Sequence, residues 1–360
     1  MSSQDRDFIE KAEPQLAPGP LFVVSMWRSG SSLLYALLNK HPQVALMYEA
    51  DLLLLRSSFL KPKPFCDWAE RWEFWNDNFK RHSLNLSDAP SGISDFPRAF
   101  AAVHKLYAQR RGATIWGDKS PNYYDCLNEM ADAFPEARFI IVWRDPKGTA
   151  NAVVRAATSG SSYFRRRGAA LCGLLGNEKF KQECNRLRAR GLPVCEVNYE
   201  DLTQDAASVM RQVCDFLQIT YDDSLTNVQG ADRSAIFEEK HHSNIKGDAI
   251  VKASRPELLD LTWRRKISGY VVDWRQRYGP AWPPYPRPEQ DAGGSPAWGE
   301  RFADRWRYRL FRARDKFIWV AFCFVPISLL RRYRESKTRR REASNAANPV
   351  SADAGTTPLR

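Results

Sequence analysis

The sequence of 360 residues lacks the cysteine patterns that mark a metal site or a disulfide framework. Its seven cysteines lie at positions 66, 126, 172, 184, 195, 214 and 323, and no two of them form a CxxC pair. Structural zinc sites depend on such short spacings. We therefore expect no metal ion, and we interpret the cysteines as scattered reduced thiols of a cytoplasmic protein.

An apolar segment is also missing from the N-terminus. The opening stretch, MSSQDRDFIEKAEPQ, is polar and partly acidic, and the first apolar run begins at Leu21. Signal peptides and N-terminal membrane anchors need such a run near the start of the chain. We expect neither here, which favours a cytoplasmic protein.

Net positive charge is small outside the C-terminal segment. The segment 301–342 contains 14 Arg or Lys and 4 Asp or Glu, a net charge of +10 out of +12 for the chain, so the rest of the chain carries only +2. A protein that wraps nucleic acid is usually basic over its whole binding face, and no recognition motif accompanies this segment. We expect no specific nucleic-acid partner.

Short apolar runs alternate with stretches of helical spacing between Leu21 and Leu217. This alternation is typical of an α/β fold with a doubly wound parallel sheet flanked by helices, and a basic helical tail follows it. Residues 57–110, rich in Trp, Phe and Arg, are interpreted as helices and loops that cover the site. The predicted strands are Leu21–Ser25, Thr114–Trp116, Phe139–Trp143 and Pro193–Val197, and the predicted helices are Leu33–Lys40, 123–133 and 205–218.

Composition divides the chain into five parts. The predicted parts are a leader at 1–19, a catalytic domain at 20–282, a Pro/Gly linker at 283–300, a basic and apolar helical segment at 301–342, and a disordered tail at 343–360. The tail is predicted to be disordered because it has few apolar residues.

The first strand leads directly into a candidate anion-binding loop. Its sequence is Arg28-Ser29-Gly30-Ser31-Ser32, and a helix follows. Glycine permits a tight turn, and backbone N–H groups at a helix N-terminus bind anions. The Walker pattern GxxxxGK[ST] is absent, which disfavours an ATPase or a kinase. The alternative is an ordinary polar turn.

A second candidate loop follows the strand FIIVW. Arg144 comes directly after this strand, far along the sequence from Arg28. Ligands of open α/β sheets bind at the carboxyl ends of the strands. Two cations in this arrangement suit a ligand with two separated phosphate groups, whereas a lone Arg144 would more often be a surface charge.

Four elements together resemble the sulfotransferases that use 3′-phosphoadenosine 5′-phosphosulfate, in particular the branch near the protein-tyrosine and bacterial sulfotransferases. The elements are Arg28-Ser29-Gly30-Ser31-Ser32, Asp118-Lys119-Ser120-Pro121, FPEARFIIVWRDP and Asn198-Tyr199-Glu200-Asp201-Leu202, within residues 20–275. The resemblance implies a P-loop-like α/β fold. It also implies that the first loop binds the 5′-phosphosulfate, that Arg144 binds the 3′-phosphate, and that Tyr199 belongs to the donor site.

The resemblance has one departure and one extension. The family usually has a serine eight positions after its 3′-phosphate arginine, where this chain has Ala152, so we expect Asn151 or Thr149 to supply the hydrogen bond. The segment His241–Asp248 is similar to the loop that closes over the donor, which implies donor contacts from Lys246 and Gly247.

The resemblance also implies roles in the reaction. Arg28 offsets charge on the leaving phosphate, Lys119 contacts the transferred group, and Glu49 takes the proton of an acceptor hydroxyl. Asp51 is the rival base. His104 is a third option, but its Ala-rich helical context favours a partly buried structural histidine. The acceptor class stays open among carbohydrate, lipid or glycolipid, and tyrosine-like hydroxyls.

A short apolar stretch lies inside the basic C-terminal segment. Phe317–Leu330, with the sequence FIWVAFCFVPISLL, is apolar except for Pro326 and Ser328. It is too short to span a bilayer, and the flanking Arg, Trp and Tyr residues suit a peripheral anchor on an anionic membrane, at its inner face. The alternative is a helix that packs on the body or on a second subunit, as in a homodimer. The competing functions are a P-loop-like small-molecule kinase and a non-catalytic membrane-surface binding protein.

Overall fold

The computed structural model describes residues 15–55, 68–89, 91, 93, 95–159, 161, 163–165, 168–236, 250, 258–284 and 295–347. Its centre is a parallel five-stranded sheet with the strand order β2-β3-β1-β4-β5. The strands are β1 Leu21–Ser25, β2 Val44–Tyr48, β3 Ile115–Lys119, β4 Arg138–Trp143 and β5 Val194–Asn198. The predicted α/β class with a parallel sheet is confirmed.

Two strands differ from the prediction. β2 was missed, because five consecutive buried residues have no alternation that would distinguish a strand from a helix. β3 extends beyond the predicted end at Trp116 to Lys119. Asp118 and Lys119 therefore lie within the last two positions of a strand rather than in a loop after it.

Helices cover the sheet on both faces. In the described part of the chain they are α1 Ser31–Leu38, α2 Trp68–Asn76, α3 Asn78–Arg81, α4 Phe96–Arg110, α5 Leu127–Ala133, α6 Pro146–Thr158, α7 Ala169–Ala189, α8 Tyr199–Gln204, α9 Ala206–Leu217, α10 Leu261–Tyr278, α11 Trp298–Phe324 and α12 Ile327–Ala347. Alternate residues of β1 enter different apolar clusters: Phe22 and Val24 join one, and Leu21 and Val23 the other. A parallel sheet buried on both faces requires this near-continuous apolar sequence.

The strand order fixes the position of the site. From β1 the chain goes to β2 and β3 on one side, and later to β4 and β5 on the other. The connections after β1 and β4 therefore diverge, which opens a crevice at the carboxyl ends of these two neighbouring strands. Arg28 follows β1 and Arg144 follows β4, so the topology brings both predicted anion loops to this crevice.

The C-terminal helices pack on the catalytic body. Phe311 and Phe322 of α11 are buried in the larger apolar cluster, and Arg312 forms an ion pair with Asp125 at 2.7 Å. α11 begins at Trp298, inside the predicted linker, and α12 continues to Ala347, which lies inside the predicted disordered tail. Among the described residues, every helix is too short or too polar to span a bilayer.

Candidate active site

The loop between β1 and α1 has a backbone that requires glycine at one position. Gly30 has a φ of +92°, and a Cβ atom placed there would lie 2.1 Å from the ring of Tyr199. Arg28, two residues earlier, also has a positive φ of 64°. The loop thus makes a left-handed turn against Tyr199, the first residue of α8, and this contact fixes where α1 begins.

The N-terminus of α1 is open, whereas that of α6 is occupied. Among the described residues, no side chain caps α1, and its first turn contains no acidic residue. In α6, the carboxylate of Asp145 accepts hydrogen bonds from the N–H groups of Lys147 and Gly148 at 3.0 and 3.1 Å. Because an uncapped helix N-terminus attracts anions, α1 can bind a phosphate with its backbone. At the second loop, the group that could bind an anion is instead the Arg144 side chain.

The two anion loops are in direct contact. Arg144 donates a hydrogen bond from Nη1 to the carbonyl oxygen of Arg28 at 2.7 Å, although 116 residues separate them. Its guanidinium also lies 4.3 Å from the centre of the Tyr199 ring. Its buried Nε has no hydrogen-bond partner among the described residues. This buried donor is therefore unsatisfied by the described part of the chain.

A buried lysine joins the first loop to the predicted base. Lys119 donates from Nζ to Glu49 Oε1 at 2.6 Å and to Ser32 Oγ at 2.9 Å, and its Nζ lies 4.0 Å from the centre of the Tyr48 ring. The side chain of Lys119 is 1% exposed, and that of Glu49 is 17% exposed. Burial lowers the pKa of Lys119, and the neighbouring charge of Glu49 opposes that effect.

Pairing between β2 and β3 explains this contact. Tyr48 and Lys119 are partners in the register of the two parallel strands, and the N–H of Glu49 donates to the carbonyl of Lys119 at 2.8 Å. Glu49 itself has a φ of 46°. The left-handed turn directs the chain out of the sheet just where the carboxylate meets the ammonium group.

Two residues of the aromatic-rich 57–110 stretch support this turn. Arg81 donates from Nη2 to the carbonyl oxygens of Tyr48 and Glu49 at 3.0 and 3.3 Å. His82 Nε2 accepts from the N–H of Tyr48 at 2.8 Å, and its Nδ1 lies 2.7 Å from the carbonyl of Asn78. Burial lowers the pKa of His82 to about 3. The ring is therefore neutral, with its proton on Nδ1.

Asp51, the alternative candidate for the base, is buried beside the Glu49 turn. It is 3% exposed and accepts hydrogen bonds from Ser120 Oγ at 2.5 Å and Asn122 Nδ2 at 2.8 Å. The adjacent Asp118 accepts from the N–H groups of Ala50 and Asp51, both at 3.3 Å. Burial is the largest cause that raises the pKa values of Asp51 and Asp118 to about 6 and about 7, and the neighbouring carboxylates add to it. Through these hydrogen bonds, the two buried acids hold the backbone that directly follows Glu49.

His104 belongs to the core. It is fully buried, stacks on Phe100 with ring centroids 3.7 Å apart, and its Nδ1 lies 2.7 Å from the carbonyl of Phe100. Burial lowers its pKa to about 3, so it is neutral. The structural role expected from its Ala-rich helix fits this environment, although the ring is fully rather than partly buried.

The residues proposed to replace the missing serine at position 152 differ in their surroundings. Thr149 is fully buried, and its Oγ1 lies 3.5 Å from Ser29 Oγ of the first loop. The side-chain oxygen of Asn151 accepts from the N–H of Leu258 at 2.8 Å. Thr149 thus faces the first loop, and Asn151 contacts the C-terminal part of the domain. Lys246 and Gly247 lie outside the described residues.

The sequence prediction did not include Tyr48, Arg81, His82 and Asp118. The available signals were two: the adjacent Arg81-His82 pair in an aromatic stretch, and the acid directly before Lys119 in the motif Asp118-Lys119-Ser120-Pro121. Neither signal identifies a partner, because the contacts form between segments far apart in sequence. In the part of the chain that the structure describes, no group of three or more His, Cys, Asp or Glu residues could hold a metal ion.

Comparisons with known protein sequences match sulfotransferases. The model of a family described as "Sulfotransferase family" matches residues 20–223. "Protein-tyrosine sulfotransferase A" of Caenorhabditis elegans is 23% identical over 263 residues, which cover 70% of this chain and 63% of that protein. The chain thus spans less than two thirds of the length of this relative.

Solved structures of sulfotransferase domains are also similar. The domain from the curacin biosynthetic pathway has a TM-score of 0.47 and 18% identity, covering 72% of this chain and 99% of that chain. The domain from the Synechococcus PCC 7002 olefin synthase has a TM-score of 0.46 and 20% identity, covering 72% and 96%. The residues that match the family model include both anion loops, Glu49 and Lys119. Because this match covers more than half of the chain, the chain belongs to the sulfotransferase family.

Proposed function

We propose that this protein transfers the sulfuryl group of 3′-phosphoadenosine 5′-phosphosulfate to a hydroxyl group of an acceptor. The observation that carries the proposal is the contact of buried Lys119 with both Glu49 and Ser32 of the first anion loop. A cation between a phosphate-binding loop and a carboxylate suits a reaction in which an anionic group moves while a proton is removed. Membership of the family supports the choice of donor.

The two anion loops suit the two phosphate groups of the donor. In this proposal the 5′-phosphosulfate binds at the open N-terminus of α1, with Arg28 and the residues from Ser29 to Ser32. The 3′-phosphate binds at Arg144, whose buried Nε lacks a partner among the described residues. Tyr199 holds Arg144 and Gly30 in place. Asn151, Lys246 and Gly247 stay predicted donor contacts.

The proposed reaction is an in-line displacement at sulfur. The acceptor oxygen forms a bond to sulfur while the bond between sulfur and the bridging oxygen of the 5′-phosphate breaks. The proton of the acceptor hydroxyl goes to the carboxylate of Glu49. The charge that develops on the phosphate is offset by Arg28, by Lys119 and by the N-terminus of α1. The products are a sulfate ester and adenosine 3′,5′-bisphosphate.

The same machinery serves a hydroxyl group on a carbohydrate, a lipid or a tyrosine. The relative from Caenorhabditis elegans is named for protein tyrosine, but the roles proposed for the anion loops and Glu49 require only a hydroxyl group on the acceptor. The proposal therefore specifies the attacking group as a hydroxyl and leaves its carrier to the labelling experiment below.

Two measurements test the proposal. Adenosine 3′,5′-bisphosphate should raise the melting temperature, because a ligand that binds only the folded state stabilises it, and ATP with Mg²⁺ should not. Stabilisation by ATP and Mg²⁺ alone would instead favour a kinase. Incubation of the protein and sulfur-labelled donor with a cell extract should then label a product that resists exchange with free sulfate. No labelled product, from extracts of any membrane or soluble fraction, would contradict the transfer.

A further inference from the structure

One side of α11 carries large apolar residues that no other part of the described chain covers. Trp298, Phe302, Trp306, Leu310, Phe317 and Phe324 are 75, 61, 54, 53, 69 and 54% exposed. Spacings of four and seven residues place them in one row along a helix of about 3.6 residues per turn. We call this row the outer stripe.

The opposite side of the same helix binds the catalytic body. Asp304, Phe311, Asp315 and Phe322 are buried, and Asp304 forms an ion pair with Lys266 of α10 at 2.7 Å. Their helical positions lie across the axis from the outer stripe. α11 is thus fixed to the body by one face while it presents the other to the surroundings.

Basic residues flank the outer stripe on both sides. By helical position, Arg305, Arg309 and Lys316 lie along one side and Arg307 and Arg314 along the other, and all five are exposed. Trp and Phe between rows of Arg and Lys are typical of helices that lie in the interface of a membrane, with the apolar residues at the acyl boundary and the cations at the lipid headgroups.

An open groove beside the stripe adds a site for an anionic headgroup. It has a volume of about 540 Å³ and is lined by Arg277, Arg301, Arg305 and Arg309, by Asp273, and by the first three aromatic residues of the stripe. Asp273 pairs with Arg277 and with Arg301, and Arg305 lies 3.7 Å from Glu178. Arg309 has no ion pair within the described residues, so the groove presents an uncompensated guanidinium group next to three aromatic rings.

We infer that the outer stripe and its groove dock this protein on the surface of a bilayer that contains anionic phospholipid. Charge complementarity selects this occupant: the segment 301–342 carries a net charge of +10, and each basic residue near an anionic surface contributes to binding. The inference uses no part of the anion-loop site and holds for any activity of that site.

The outer stripe differs from the segment that the sequence predicted to contact the membrane. The apolar stretch at 317–330 was expected to be the membrane element, but Trp319, Cys323, Val325 and Ile327 pack against the core of the body. Only Phe317 and Phe324 of that stretch belong to the outer stripe. The rest of the stripe lies before the apolar stretch, in the basic part of α11.

Point variants of the full chain test the inference, because deleting α11 would expose core residues. In a flotation assay, the protein should rise with vesicles of phosphatidylcholine and phosphatidylserine, and high salt should weaken this binding. The triple variant Trp298→Ser, Phe302→Ser and Trp306→Ser should stay at the bottom of the gradient. Arg309→Gln should lower the partition coefficient about five-fold, which corresponds to about 1 kcal/mol per basic residue at about 1.4 kcal/mol per tenfold change.

Matched controls remove an exposed apolar side chain and an exposed guanidinium elsewhere on the surface. Leu86→Ser removes an apolar side chain that is 45% exposed, and Arg98→Gln removes a guanidinium whose side chain is 81% exposed. Both should bind vesicles like the unchanged protein. Melting temperature and affinity for adenosine 3′,5′-bisphosphate should be equal in all variants, which separates this test from that of the proposed function.

Three results would overturn the inference. The unchanged protein could fail to float, or it could float equally well with phosphatidylcholine alone and in high salt. It could also sediment as a dimer that the triple variant dissociates, without binding vesicles. That last result would assign the outer stripe to a second copy of the chain.

Discussion

Replacing Glu49 by glutamine separates the chemical role of this carboxylate from its role as the partner of Lys119. Glutamine keeps the shape and an acceptor oxygen for the 2.6 Å contact with Lys119, but it cannot take a proton from an acceptor hydroxyl. We expect turnover to fall by roughly 10²-fold or more, the usual contribution of a general base. Affinity for adenosine 3′,5′-bisphosphate should change little, because the anion loops stay intact.

The structure also gives the expected effect on stability. Lys119 is 1% exposed and loses its counter-charge in the variant. Removing one partner of a buried ion pair costs about 3–5 kcal/mol. We expect less here, about 1–3 kcal/mol, because glutamine still accepts a hydrogen bond.

The pH dependence of this loss has a definite sign. Burial already lowers the folded-state pKa of Lys119 below its ordinary value of 10.5, and the loss of Glu49 should lower it further. Between that folded pKa and 10.5 the unfolded state binds more protons, so stability rises with pH in this window. The variant should therefore recover part of its lost stability as the pH increases.

Single-turnover transfer of labelled sulfate, calorimetric titration with adenosine 3′,5′-bisphosphate and urea unfolding at several pH values measure the three effects. Glu136→Gln, at an exposed position, is the matched control and should behave like the unchanged protein. If turnover persists in Glu49→Gln and is lost in Asp51→Asn or His104→Ala, the base has been assigned to the wrong residue.

Arg144→Ala should lower affinity for adenosine 3′,5′-bisphosphate by about 10- to 150-fold in calorimetry, since a charge-assisted contact contributes about 1.5–3 kcal/mol. Gly30→Ala should lower the free energy of unfolding by more than the roughly 1–2 kcal/mol of a left-handed non-glycine residue, because its Cβ would also lie 2.1 Å from the Tyr199 ring. The stability that Asp51 and Asp118 contribute should fall as the pH rises from about 4 through about 7, because their raised folded pKa values, about 6 and about 7, mean that they hold protons that the unfolded chain has released. Comparing Asp118→Asn with the unchanged protein isolates the part that belongs to Asp118. Urea unfolding across that range checks it.

Each of these predictions has a control or a contradicting result. Unchanged affinity in both Arg144→Ala and Arg28→Ala would contradict the donor site. Gly112→Ala shares a positive φ of 65° but meets no atom within 4 Å, so it should cost only the backbone term. A difference in unfolding free energy between the unchanged protein and Asp118→Asn that stays constant from about pH 4 to about pH 7 would contradict the raised pKa of Asp118.

Local sequence patterns were sufficient to predict the two anion loops. A short apolar run, a polar turn with glycine and a helix start predicted the first loop at Arg28–Ser32, and the run FIIVW before Arg144 predicted the second. Both predictions follow from neighbours in sequence, because a buried parallel strand needs continuous apolar residues and an anion loop needs a permissive turn. The same order of motifs was sufficient to indicate the sulfotransferase family.

Which of these residues contact each other depends on long-range packing, which local sequence patterns do not show. Glu49 and Lys119 are 70 residues apart in sequence, and they meet because β2 pairs with β3. The sequence did not predict β2, and it predicted that β3 ends three residues before Lys119. Whether Asp145 caps α6, and which side of α11 faces the body, depend on the same long-range packing. Local preferences cannot determine such contacts, since the free energy that selects one strand pairing or one buried helix face arises only when distant segments exclude water from each other.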